Sequence, residues 1–416
     1  MQINEFPMTR GSRLIIERLR SRGYLAYAVG GAVRDFIMGR EYNDIDITTN
    51  ALPDEVTDVF SDMRVIDTGI KHGTVTVVCL GEPTEITTFR ADGKYSDGRR
   101  PDSISFVRTL KEDLARRDFT MNAVCYGPGE GYIDMFGGIA DISGRTIRAI
   151  GDPETRFTED ALRILRAARF SAQLEFYPEE RTLEAAVSCR ALLRSVSAER
   201  ICAEWMKLVG APGAPRALSV FSPVIAEFLP EAEPVCRSEY TKQVFDSLGV
   251  DPAFRTGALF AMPVIWGEKR ADKAVYDFRS GAARLRFDRK SALAGEAIVL
   301  GCSRSTASLR DALRLASEIG VKEASACLRI MAAAGSGDPG LAAELEQAVA
   351  NGTCISISSL AVNGDDLMKL GMRGREIGNA LTAMLGKVID GEIENSRAAL
   401  LGWCRKHYPQ DGFSNK

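Results

Sequence analysis

Residues 27–56 read YAVGGAVRDFIMGREYNDIDITTNALPDEV, a succession of strand, tight turn, helix and second strand. The apolar run LAYAV (25–29) is strand-like, and Gly30-Gly31 closes it ahead of a helix beginning near Ala32. In DIDITT (44–49), side chains two apart share a face at a spacing of about 6.6 Å. Asp44 and Asp46 therefore point one way, and Ile45 and Ile47 point toward a core. Two such carboxylates repel each other and desolvate badly unless a divalent cation joins them. Two metals about 4 Å apart can activate a hydroxyl and stabilise a departing pyrophosphate. Glu85, on the strand-like TEITTFR (84–90), is the candidate third acid. The Gly30-Gly31 turn lets backbone N–H groups approach phosphates near a positive helix end, and Arg34 adds a cationic donor. Taken singly, each element also reads as a tight turn or as surface acids; at this spacing, together, they favour chemistry.

The β-rich texture continues in TVTVVCL (74–80), TEITTFR and SISFV (103–107), after an amphipathic helix from Ser12 to Arg22. This predicts one α/β domain around a sheet of about five strands. Beyond Gly151-Asp152-Pro153 the strand signals fade. Helical periodicity or composition marks 158–171, 181–192, 197–209, 239–248, 306–319, 321–334, 340–350, 363–371, 374–389 and 392–406. Proline-bearing breaks near 211–215, 229–234 and 251–263 read as joints, and 211–300 is otherwise nearly silent.

The chain has 416 residues, enough for two to four units, with a hydrophobic share that supports a sizeable core. No apolar run is long enough to cross a bilayer and no signal peptide is visible, so a cytoplasmic address without membrane contact is expected. Nine cysteines without a C-x-x-C pair read as reduced, buried thiols. With only His72 and His407, histidine metal clusters and histidine triads are nearly excluded, and His72 is given no catalytic role. A net charge of −3 argues against a general polyanion binder. Local excess remains between Arg145 and Arg169, where six arginines face Asp152, Glu154, Glu159 and Asp160.

GGAVRD (30–35), DID (44–46) and the strand bearing Glu85 resemble the signature of the class II tRNA nucleotidyltransferase and bacterial poly(A) polymerase superfamily. The resemblance implies that Asp44 and Asp46 are metal-binding catalytic carboxylates, holding two Mg²⁺ ions, with Glu85 the third acid. RRDFTMNA (116–123) resembles the second motif. There Arg116 and Arg117 can donate to a triphosphate, Asp118 to accept from a ribose 2′-hydroxyl or to cap a helix, and Asn122 to assist. TEDALRILRAARF (158–170) places Asp160 and Arg163 three apart on one helix face, with Thr158 as N-cap. Acceptor beside donor matches the amine and ring nitrogen of cytosine and adenine, and mismatches uracil and guanine. The resemblance assigns this selecting role to Glu159, Asp160 and Arg163, with Arg166 a further candidate; an ordinary helix with i,i+3 ion pairs is the bland alternative. EDALR resembles CCA-adding members, whereas poly(A) polymerases tend to carry EDPVR.

IDMFGGIADISGRTIRAIG (133–151) resembles a hinge motif with Asp134, Gly137 and Gly138 as pivots, and SAERICAEWMKLV (197–209) a supporting helix. KYSDGRRPDSISFV (94–107) resembles a mobile loop that CC-only members lack. Residues 361–395 resemble a tail that grips the tRNA elbow, with Lys369, Arg373 and Arg375 as RNA-contacting candidates. The implied fold is an elongated one: a polymerase-beta-like nucleotidyltransferase head (1–148), then an all-α neck with the nucleotide-selecting helix (149–210), body (211–300) and tRNA-binding tail (301–416). Implied substrates are CTP, ATP and the 3′ end and acceptor and TΨC arms of tRNA, with a monomer or homodimer as the working form. Three alternatives stay open: an A-only tRNA enzyme, a poly(A) polymerase, and a silent RNA-binding protein.

Overall fold

The first strand, β1 (Ala26–Val29), is buried along its whole length because strands flank it on both sides. The computed structural model describes residues 4–67, 69–70, 73–92 and 104–408. Two compact units divide the chain, 1–230 and 231–416. In the first unit β1 is followed by β2 (Asp46–Thr49), β3 (Arg64–Ile66), β4 (Thr74–Cys79), β5 (Glu82–Thr88), β6 (Arg90–Asp92), β7 (Ile104–Phe106), β8 (Val124–Gly127) and β9 (Gly131–Asp134). Seven of them form one mixed sheet in the order β3-β4-β5-β2-β1-β8-β9. β2 runs antiparallel to β1, with Val29 opposite Asp46, and parallel to β5, with Ile47 opposite Ile86.

The sheet is thus larger than the five strands expected. β3 is three residues long and open to solvent, and β8 and β9 lack polar alternation, so none of the three shows a period-two pattern. The run at 103–107 is also placed differently: β7 leaves the sheet and pairs with β6 as a separate antiparallel ribbon. Tyr27, Val29, Phe89, Leu110, Leu114, Ala123, Cys125 and Ile150 form the core that joins the sheet to the helix Leu110–Ala115. All nine cysteines are free, and only Cys189 and Cys202 are less than fully buried.

Two glycines decide local geometry. Gly30 has φ 86°, a conformation costly for any side chain, and it turns β1 into the helix Gly31–Ile37. At Gly138 an added Cβ would lie 2.2 Å from the Thr120 carbonyl oxygen and 2.7 Å from a Val124 methyl. Asp134 fixes the same corner, accepting from the Gly138 N–H at 2.8 Å and the Ile139 N–H at 2.8 Å. Gly138→Ala should therefore cost about 1–3 kcal/mol through overpacking. Chemical denaturation measures this, and an unshifted midpoint would show that the corner yields.

The expected single helix over 158–171 is in fact two, Pro153–Glu159 and Leu162–Leu174, with Asp160 in extended conformation between them. Thr158 lies inside the first helix and is not an N-cap; its hydroxyl donates to the Glu154 carbonyl. Asp152 caps that helix, accepting from the Thr155 N–H at 2.9 Å, with Pro153 in its first turn.

In the second unit, every element among the described residues is helical. Its most buried member, Pro252–Ile265, covers the stretch read as a joint. Pro252 stands at the start, where no intrahelical N–H is needed, behind the cap Asp251. Pro263 lies in the last turns and does not end the helix. No helix among the described residues is long and apolar enough to cross a membrane.

Candidate active site

The Gly30 turn, the start of β2 and the segment after Leu110–Ala115 meet at one end of the sheet. The β2–β5 register sets Asp46 beside Glu85 on a shared face. Asp46 remains open to solvent at the strand's first residue, while dense protein surrounds its inner side. Desolvation, then repulsion from Glu85 and more weakly from Asp44, pushes its carboxyl up to about 6, with Arg117 opposing. A Cβ built on Gly30 would lie 3.5 Å from Arg117 Nη1 and 4.0 Å from Asp46 Oδ2, so turn, cation and acid are immediate neighbours.

Among the described residues no three His, Cys, Asp or Glu side chains converge closely enough to hold a metal ion unaided. The three-acid cage expected from the sequence is not formed by these side chains alone. The donor set still fits a divalent cation: mutually repelling carboxylates concentrate hard oxygen donors. Mg²⁺ is commonly held by one or two carboxylates, with phosphate oxygens and water completing its shell.

Arg34, expected to reach phosphate, is buried and engaged. Its Nη1 donates to Asn122 Oδ1 at 2.7 Å and its Nε to Asp35 at 2.9 Å. Asn122 Nδ2 in turn donates to Asp118 Oδ1 at 3.0 Å, which also takes the Phe119 N–H at 2.8 Å. Arg166 closes the chain on Asp118 Oδ2 with Nε at 2.7 Å and Nη2 at 2.5 Å. Asp118 thus caps no helix and offers no free edge; both its oxygens are occupied. Burial alone would push its carboxyl up, but Arg166 and the Asn122 bond hold it at about 2. Below the ordinary carboxylate value, such a group stabilises the fold above about pH 4 and loses that stabilisation toward pH 2, roughly 2 kcal/mol in all. At pH 7 Asp118→Asn should be less stable by that amount, and the deficit should vanish as pH falls through this window. Denaturation midpoints at several pH values decide it; a deficit independent of pH rejects the ion pair as its source.

Asp160 and Arg163 do not lie on one helix, since Asp160 is extended ahead of the helix that carries Arg163, and the two side chains have different partners. Arg163 is buried, with Nη1 on Glu159 Oε2 at 2.8 Å and Nη2 on the Arg116 carbonyl at 2.8 Å. Asp160 instead accepts from Arg200 Nη2 at 3.1 and 3.2 Å. The basic cluster between Arg145 and Arg169 is largely neutralised from within: Arg148 pairs with Asp141 and Glu179, Arg156 and Arg163 with Glu159, Arg166 with Asp118, and Arg169 with Glu204. Two residues that sequence reasoning passed over belong here. Arg200 holds Asp160 from forty positions away, a distance no local pattern spans. Asp113, fully buried, lies three and four residues before Arg116 and Arg117, and that i,i+3/i+4 spacing was the available signal.

In the second unit, Lys369 ends the helix Gly364–Lys369, and Arg373 and Arg375 flank Gly374; all three cations are exposed. His72 and the loop motif at 94–103 lie outside the described residues.

The "Poly A polymerase head domain" family model matches residues 26–148, and a tRNA nucleotidyltransferase domain 2 model matches 312–404. The CCA-adding enzyme of Geobacillus stearothermophilus is 38% identical over 94% of this chain and 95% of its own. That of Lactobacillus helveticus is 42% identical over 60% of this chain and 62% of its own, so for some relatives the match spans less than two thirds of their length. The crystal structure of the Bacillus stearothermophilus CCA-adding enzyme in complex with CTP superposes with a TM-score of 0.78 at 32% identity, covering 96% of this chain and 98% of that one. A Thermotoga maritima CCA-adding enzyme complexed with tRNA shares the fold at TM-score 0.65 and 21% identity, over 98% and 100% of the two chains. A nucleotidyltransferase head joined to helical domains is what these likenesses have in common. The chain belongs to the family of CCA-adding enzymes.

Proposed function

We propose that this protein adds or repairs the 3′-terminal CCA of tRNA, using CTP and ATP, without a nucleic-acid template. One observation carries the reading: the charges of Asp44 and Glu85 converge on Asp46 directly beside Arg117 and the Gly30 turn. Such a centre suits a triphosphate whose charge must be accepted on one side and whose α-phosphate must meet a hydroxyl on the other. Divalent ions, Mg²⁺ by the hardness of the donors, would be held by Asp44 and Asp46 with Glu85 nearby, and would supply hydroxyl activation and charge neutralisation. The Gly30-Gly31 backbone, Arg116 and Arg117 orient the triphosphate. The RNA 3′-oxygen bonds to the α-phosphorus, the bond to the β-phosphate bridge breaks, and pyrophosphate leaves toward the guanidinium groups. A ribose 2′-hydroxyl entering the Asp118–Asn122–Arg166 cluster, which Arg34 supports, exchanges for one of the N–H donors on Asp118.

Glu159, Asp160 and Arg163 select the base. The helical body and tail hold the acceptor and TΨC arms by shape and phosphate contact, with Lys369, Arg373 and Arg375 on the exposed side. The test is incorporation of labelled CTP and ATP, with Mg²⁺, into tRNAs ending before CCA, before CA and before A. Ordered addition of C, C and A is expected. Addition of A to tRNA-CC alone would make this an A-only enzyme, and long poly(A) or no incorporation would overturn the reading.

A further inference from the structure

Asp113 has no exposed surface, yet it carries a charge and takes hydrogen bonds from three directions. Its Oδ2 accepts from the Thr48 hydroxyl at 3.0 Å, and its Oδ1 accepts from the Arg90 N–H at 3.3 Å and Arg116 Nε at 3.0 Å. Arg116 Nη2 lies 2.8 Å from Oδ1, and Arg117 Nη2 lies 3.5 Å from Oδ2. Thr48 stands two residues after Asp46 on β2, on the same face. One buried carboxylate therefore ties the acidic strand to both arginines of RRDF. Burial opposes its charge, and Arg116, then Arg117, hold the carboxyl below its usual range.

A buried ion pair is seldom more stabilising than an apolar filling of the same volume, so stability alone gives no reason for this arrangement. Geometry gives one. A single negative charge against two guanidiniums leaves one net positive charge, and Arg117 Nη1 sits at the Gly30 turn beside Asp46. Two carbonyls a little further along the same segment take the selecting region: Ala115 O accepts from Arg156 Nη1 at 3.0 Å and Arg116 O from Arg163 Nη2 at 2.8 Å. The segment around Asp113 thus spaces the acidic strand, the triphosphate cations and the base-selecting residues relative to one another.

We infer that Asp113 is a positioning residue for nucleotidyl transfer, aiming Arg116 and Arg117 at the triphosphate through its bond to Thr48 on the acidic strand; this rests on the transfer reading above. The test measures CTP binding by calorimetry on the full chain, and separately the KM for CTP and for tRNA. Asp113→Asn should weaken CTP binding by about tenfold or more, as loss of a charge-assisted pair does. KM for CTP should rise accordingly, while KM for tRNA stays within about twofold. Thr48→Val keeps the volume and the charge, and should weaken CTP by about threefold, as loss of one neutral bond does. Wild-type CTP affinity in either variant, or equal shifts of CTP binding, tRNA KM and denaturation midpoint, would overturn the role. If the wild-type chain binds CTP but transfers nothing, the transfer reading fails while the binding ratio still decides whether Asp113 orients the cations. Absence of CTP binding to the wild type would overturn both.

Discussion

Asp46→Ala is expected to reduce nucleotide incorporation by about 10³-fold or more while leaving the fold intact, since it removes the acid on which the charge of the site converges. The physical basis is the desolvation, and then the repulsion from Glu85, that raise its carboxyl to about 6. An acid raised in the folded state is a liability to folding at neutral pH, where it must be charged. Removing that charge should therefore hold or raise the melting temperature in the absence of divalent ions, even as activity disappears. Opposite movement of activity and stability is the mark of a group retained for chemistry. Added Mg²⁺ should stabilise the wild type and have less effect on the variant. Single-turnover incorporation and thermal melts with and without Mg²⁺ provide the check. Residual activity within tenfold of wild type, or a melting temperature that falls with activity, would remove Asp46 from the centre of the reaction.

What was legible in the sequence is what short-range geometry controls. Strand alternation sent Ile45 and Ile47 to the core and Asp46 away from it, although β2 begins only at Asp46 and leaves Asp44 ahead of the strand. A glycine pair between strand and helix marked a turn whose φ of 86° does require glycine. The segments around Asp160 were misread for the opposite reason. Helical periodicity runs through 158–171 without a breaker, and the interruption is held by tertiary partners: Arg200 on Asp160, and the Arg116 carbonyl on Arg163. Pro252 and Pro263 misled in the other direction, since proline opens a helix as readily as it ends one, and a tightly packed helix tolerates it near the end. The spacing of Asp113 to Arg116 and Arg117 hinted at a pair, but its burial, which turns that pair into a fixed anchor, comes only with the fold.

The interruption at Asp160 also sharpens the expectation for base choice. Two acceptor and donor groups on one rigid helix would move together; here they are anchored separately, Asp160 by Arg200 and Arg163 by Glu159 and the Arg116 carbonyl. Asp160→Ala should therefore relax selection without disturbing Arg163, lowering discrimination of CTP over UTP, and of ATP over GTP, by roughly 10–100-fold, as expected when one buried mismatch of about 1–3 kcal/mol is no longer imposed. Arg163→Ala should do more. It leaves Glu159 without one of its two cations and the Arg116 carbonyl without its donor, so cognate kcat/KM should fall along with selectivity. Competition between paired nucleotides on tRNAs ending before each addition reads both quantities at once. Because Arg200 fixes the Asp160 carboxylate, Arg200→Ala should resemble Asp160→Ala in selectivity and spare the contribution of Arg163. Unchanged base preference in all three variants would mean that these side chains support the fold and that the choice of C and A is made elsewhere.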